Sequence, residues 1–154
     1  MVHESSHGPA IERRLALRDR FADVSTAQTE LESAARAKQY DRTSIFAIKL
    51  ALEEALSNAF KHGNRNDPRK GVSVTFQVKA DSIVIEVEDQ GEGFDLTAVP
   101  DPTAQENIEI PCGRGITLMR AYMSEVSFQP PGNKVRLVYT RPSGRTSNKS
   151  AASG

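Results

Sequence analysis

The chain has 154 residues, enough for one domain with its own buried core. Its 20 lysines and arginines balance 20 aspartates and glutamates, which argues against a direct nucleic-acid partner, because phosphate binding shows as a basic excess. A single cysteine, Cys112, excludes an intrachain disulfide framework and fits a reducing compartment, and neither a signal peptide nor a membrane-spanning apolar run is present, so a soluble, cytoplasmic protein with no membrane partner is expected.

Residues 1–10 read as a polar, flexible leader, and Ile11 to Arg18 as a short first strand. Ser25 to Lys38 reads as a helix with Ser25 or Thr26 as its N-cap. The strongest helical signal is Asp41 to Lys61, where Ile45, Ile48, Leu52, Ala55, Leu56 and Ala59 recur at helical spacing. Asp41 or Thr43 can cap its start, and Gly63 can end it. The period then changes to two. Val72, Val74, Phe76 and Val78 alternate with polar residues, Ala80-Asp81-Ser82 makes a turn, and Ile83, Ile85 and Val87 alternate again, which is a hairpin signal.

Gly91 to Cys112 has little periodicity and three prolines, and reads as a long loop of functional or disordered character. A short amphipathic helix is expected over Arg114 to Met123, then closing strands over Ser124 to Phe128 and Lys134 to Thr140, joined by a turn at Pro130-Pro131-Gly132-Asn133. Residues 142–154 are small and polar and read as a disordered tail. The expected fold class is α/β in the broad sense, an α+β two-layer sandwich over residues 11–141, with helices on one face of a mixed, mainly antiparallel sheet.

Three elements carry chemistry. Glu54 and Asn58 are four residues apart on the long helix, so their side chains lie one turn apart on one side. The run Asp89-Gln90-Gly91-Glu92-Gly93-Phe94 places a carboxylate where a strand ends, able to accept a hydrogen bond from a ligand amine, with glycines that permit close backbone approach. Cys112-Gly113-Arg114-Gly115 opens a helix, whose first amides suit phosphate oxygens. Each alone is weak, a solvated helix face or a plain turn. In this order, each on the element its chemistry requires, they are much stronger.

These elements resemble the N, G1 and G2 boxes of the GHKL ATPase superfamily (the Bergerat fold), and most closely those of bacterial anti-sigma factor serine/threonine kinases. Glu54-Ala55-Leu56-Ser57-Asn58-Ala59-Phe60-Lys61-His62-Gly63 is similar to their N box, and Gly113-Arg114-Gly115-Ile116-Thr117-Leu118-Met119 to their G2 region. The resemblance implies ATP and Mg²⁺ as ligands. Asn58 would coordinate the metal, and Glu54 would be the catalytic base toward a serine or threonine hydroxyl. Asp89 would bind the adenine amino group, with His62 and Phe94 beside the nucleotide. Gly91 and Gly93 would let the loop pass the base, and Gly113, Arg114 and Gly115 would cover the phosphates. Two departures stand out: Arg114 lies between the last glycines, where many relatives carry a small residue, and Lys134 stands where relatives carry a threonine or serine near the adenine. The implied partners are a sigma factor, a STAS-domain anti-anti-sigma protein and, from relatives, a second copy in a homodimer. A nucleotide-gated partner switch with little kinase activity is the alternative.

Overall fold

Residues 8–91, 111–129 and 133–142 are described by the structure, a computed structural model, with residues 111–116 described through their backbone. In chain order the elements are β1 (Ile11–Leu17), α1 (Ala22–Ala37), α2 (Arg42–Asn58), a π-helical turn (Ala59–Gly63), β2 (Val72–Val78), β3 (Ser82–Asp89), α3 (Pro111–Tyr122), β4 (Glu125–Gln129) and β5 (Lys134–Thr140).

The strands form one sheet in the order β1-β2-β3-β5-β4. Every pairing among them is antiparallel, so the sheet is not mixed. The hairpin sets its register through Val74 opposite Val87 and Phe76 opposite Ile85. Because side chains alternate across a strand, that register puts Val72, Val74, Phe76, Val78, Ile83, Ile85 and Val87 on one buried face. Val135 and Leu137 of β5 join them. Leu31 of α1, Ile48, Leu52 and Leu56 of α2, and Met119 of α3 are fully buried in the same cluster. The opposite face is polar: Lys134 and Arg136 pair with Glu86 there at 3.4 and 3.6 Å.

Asp41 caps α2 as expected, its Oδ1 accepting from the Ser44 amide at 2.8 Å. The first helix differs from expectation, beginning at Ala22 and not at Ser25 or Thr26. Two aspartates explain the earlier start. Asp19 Oδ1 accepts from the amides of Phe21 and Ala22, and Asp23 Oδ2 from those of Arg18 and Asp19. Both carboxylates sit where the first orphan amides and the helix dipole favour negative charge. The Asp19 and Arg18 amides also hold the Asp23 carboxyl below the usual range. Thr26, one turn in, donates its hydroxyl back to the Ala22 carbonyl.

Arg141 ties the end of the sheet to the helices. Its guanidinium lies 3.8 Å from the Tyr40 ring centroid and donates to the carbonyls of Lys38, Gln39 and Ala80. It thus satisfies backbone acceptors left open past the end of α1.

A candidate nucleotide site where the long helix meets the end of a strand

The site begins with a change of helical pitch. After Asn58 the chain widens into the π turn, and the Asn64 amide donates to the Ala59 carbonyl at 2.8 Å. Such turns insert one extra residue per hydrogen-bonded ring and re-aim the side chains that follow. Here Asn64 is carried inward until only 1 % of it is exposed. Its Nδ2 donates to the Gly71 carbonyl at 3.0 Å, and its Oδ1 accepts from the Gln90 amide at 2.8 Å. One side chain therefore joins the helix end, the start of β2 and the end of β3.

This joint brings Gly63 against Asp89. A methyl group on Gly63 would lie 2.1 Å from Asp89 Oδ2 and 2.3 Å from its Cγ. One on Gly91 would lie 1.9 Å from the Gly63 carbonyl oxygen. Neither glycine has a positive φ; each is needed for close approach, the Gly63 residue for the carboxylate and the Gly91 residue for the passing backbone. The Gly91 amide donates to Asp89 Oδ1 at 2.7 Å. The Asp89 backbone is clamped on its other side by Asn133, whose carbonyl accepts from the Asp89 amide and whose Nδ2 donates to the Asp89 carbonyl. Half-burial raises the Asp89 pKa, against the Gly91 amide, which lowers it; Glu88 adds to the rise and Lys70 opposes it. Asp89 is thus a fixed acceptor with no salt-bridge partner among the described residues.

Asp89 opens onto a cavity of about 240 Å³. Ala55, Ala59, Val87, Met119, Phe128 and Val135 supply apolar walls, while Asn58, His62, Arg65, Asp89 and Asn133 supply polar groups. An apolar slot with a few convergent polar groups is the usual form of a small-molecule site. Burial, and then the neighbouring Lys61 charge, lower the His62 pKa, which favours the neutral ring. A larger, shallower depression of about 500 Å³ lies beside Arg18, Arg69 and Gln90 and also borders Asp89. The smaller cavity is the better candidate, because residues from α2, the π turn, α3 and three strands converge there.

Asn58, His62 and Asp89 line the same cavity, and Gly91 bonds the last of them. Glu54 is half-buried one turn before Asn58 and lies outside the lining. Gly93 and Phe94 lie outside the described residues, as does most of the Gly91 to Cys112 segment. Gly113, Arg114 and Gly115 lie within α3, which starts at Pro111 and not at Arg114. Proline suits the first helical position and has no amide hydrogen. The outward-facing amides therefore belong to Cys112 and Gly113, while Gly115 lies a turn in, where amides join the helical ladder. Further along α3, Met119 closes the cavity wall.

Lys134 borders the cavity, but its ammonium turns to Glu86 on the polar face of the sheet. Asn133, one residue earlier, is the polar side chain placed beside Asp89. The period-two pattern carried that signal, because Asn133 shares parity with buried Val135 and Leu137. Asn64 was also missed; its burial depends on the π turn, which no periodicity announces.

The chain is similar to known proteins along most of its length. Residues 17–139 match the family described as the histidine kinase-like ATPase domain, and the chain belongs to that family. Among curated relatives, it is 32% identical over 126 residues to an anti-sigma F factor of Geobacillus stearothermophilus, covering 75% of this chain and 86% of that one. It is 32% identical over 114 residues to the serine-protein kinase RsbW of Bacillus licheniformis, covering 69% and 70%. A similar fold occurs in the crystal structure of the RsbU and RsbW domains of Rv1364c from Mycobacterium tuberculosis, with TM-score 0.58 and 17% identity over 85% of this chain. The present chain spans about a third of that protein, at 32%. Among the described residues no helix is long and apolar enough to cross a membrane.

Proposed function

We propose that this chain is an anti-sigma regulatory factor with Mg-ATP-dependent serine/threonine kinase activity toward a STAS-domain anti-anti-sigma partner. The observation that carries the reading is the Asp89 carboxylate, held between Gly63 and Gly91 at the end of an apolar slot that also holds Asn58. A fixed acceptor in such a slot fits the exocyclic amine of adenine, and the cavity has room for a base and part of its sugar.

Among the described residues no group of three His, Cys, Asp or Glu side chains is set to hold a metal. Magnesium would be held by the Asn58 amide oxygen together with the nucleotide phosphates and water, a ligand set it accepts readily. When bound, it neutralises charge on the phosphates. The phosphates themselves fit the amides of Cys112 and Gly113 at the start of α3.

In the transfer, the partner's hydroxyl oxygen bonds to the γ-phosphorus as the bond to the β–γ bridging oxygen breaks. ADP leaves, and the hydroxyl proton passes to Glu54. The phosphorylated partner carries about two added negative charges, which weaken its interface with this chain and free the chain for a sigma factor. The position of Glu54 outside the cavity lining supports a second reading: a nucleotide-gated switch in which ATP and ADP select different partners without efficient transfer.

Incubation with γ-labelled ATP, Mg²⁺ and a purified STAS-domain partner separates the two. Label on the partner, lost in Glu54→Gln and Asn58→Ala, supports the kinase. Nucleotide binding that Asn58→Ala weakens, with no label transferred, supports the switch.

A further inference from the structure

The turn that follows the π helix is strained. Arg65 and Asn66 have φ values of 55° and 59°, both left-handed. Consecutive left-handed residues are unfavourable for L-amino acids, and arginine lacks the short side chain that lets asparagine adopt this conformation cheaply. The surroundings hold the turn in place. The Asn66 amide donates to the Phe60 carbonyl at 2.8 Å, the Asp67 amide to the Asn64 carbonyl at 3.0 Å, and Arg20 donates to Asn66 Oδ1. Buried Asn64 anchors its start. Backbone strain that the fold overdetermines in this way gathers at functional sites.

The strained turn presents Arg65 at the cavity. Arg65 is exposed, and its guanidinium has no hydrogen-bond or ion-pair partner among the described residues. Along the chain it is nearer to the residues that meet Asp89 than to Asn58. Arg65 lies two residues past Gly63, which touches Asp89, whereas Asn58 lies more than a helical turn back.

Resting on the ATP reading above, we propose that Arg65 binds the base end of the nucleotide, laying its planar guanidinium against the purine ring. Guanidinium favours aromatic faces, and its flat, weakly hydrated cation stacks where an ammonium does not. The assignment predicts a contact indifferent to the number of phosphates.

The test is calorimetric titration of the full chain with AMP, ADP and ATP in the presence of Mg²⁺, for wild type, Arg65→Ala, Arg65→Lys and Arg65→Gly. Arg65→Ala should weaken all three ligands by about the same factor, about five-fold. Arg65→Lys should recover less than half of the loss. Arg65→Gly should bind as weakly as Arg65→Ala yet melt at or above the wild-type temperature, because glycine adopts the left-handed conformation without strain. That pairing distinguishes a binding role from a structural one. Unchanged affinities would overturn the assignment, and so would a loss that grows from AMP to ATP, which would place Arg65 at the phosphates. Failure of the wild-type chain to bind any of the three would overturn the ATP reading itself, and this assignment with it.

Discussion

Gly63→Ala is the sharpest perturbation this site offers. The new methyl carbon would stand 2.1 Å from Asp89 Oδ2, 2.3 Å from Cγ and 2.7 Å from Oδ1, where carbon contacts below 3.0 Å are essentially never seen. The carboxylate must therefore retreat by about 0.9 Å or more. The Asp89 backbone cannot follow, because Asn133 clamps it at both its amide and its carbonyl. The side chain must rotate, which breaks the 2.7 Å bond from the Gly91 amide and takes the acceptor off its line into the cavity. Overpacking costs about 1–3 kcal/mol of stability. Loss of one hydrogen bond to a charged group costs about 1.5–3 kcal/mol of binding, roughly ten- to a hundred-fold in Kd. Calorimetry with ADP, beside a thermal melt, reads both. Repeating the substitution in an Asp89→Asn background tests the route: if Gly63→Ala acts through the carboxylate, the two affinity losses should fall well short of adding. Wild-type affinity in Gly63→Ala, or full additivity in the double variant, would refute the reasoning.

Asn64→Ala should destabilise the chain by about 3 kcal/mol in urea unfolding, because it leaves the Gly71 carbonyl and the Gln90 amide without their buried partner. Asn64→Asp should recover little, since a carboxylate cannot donate to the Gly71 carbonyl. Arg141→Ala should cost about 2 kcal/mol, and lower the melting temperature by roughly 4–8 °C, through loss of three carbonyl contacts and the Tyr40 stack. Arg141→Lys should restore under half of that, having no planar fork. Adenine-nucleotide affinity should fall on acidification from a higher pH than an ordinary aspartate would give. The folded Asp89 pKa is raised by burial, protonation removes the acceptor, and the carboxylate form is present only above that pKa. A pH series of titrations checks this, and Asp89→Asn should flatten the profile.

Much of this protein was legible without coordinates. Period-two alternation from Val72 to Val87 specified a hairpin with one buried face, and the spacing of Ile45, Ile48, Leu52 and Leu56 specified a helix to cover it, because both patterns follow from fixed backbone geometry. Asp41 could be read as a cap because the residue type and position suffice for that hydrogen bond. Asn58, His62 and Asp89 could be named as neighbours only through resemblance to a family, and the cavity that holds them together is a tertiary fact. The early start of α1 depends on two aspartates folding back on amides several residues away, which propensity does not encode. Asn64, carried inward past the π turn at Ala59, finds its partners just before β2 and just after β3. Gly63 reads in sequence as a helix stop, yet its φ is not positive. What requires glycine there is a carboxylate from a strand 26 residues away, and no local pattern records which distant side chain will fill the space a missing Cβ leaves.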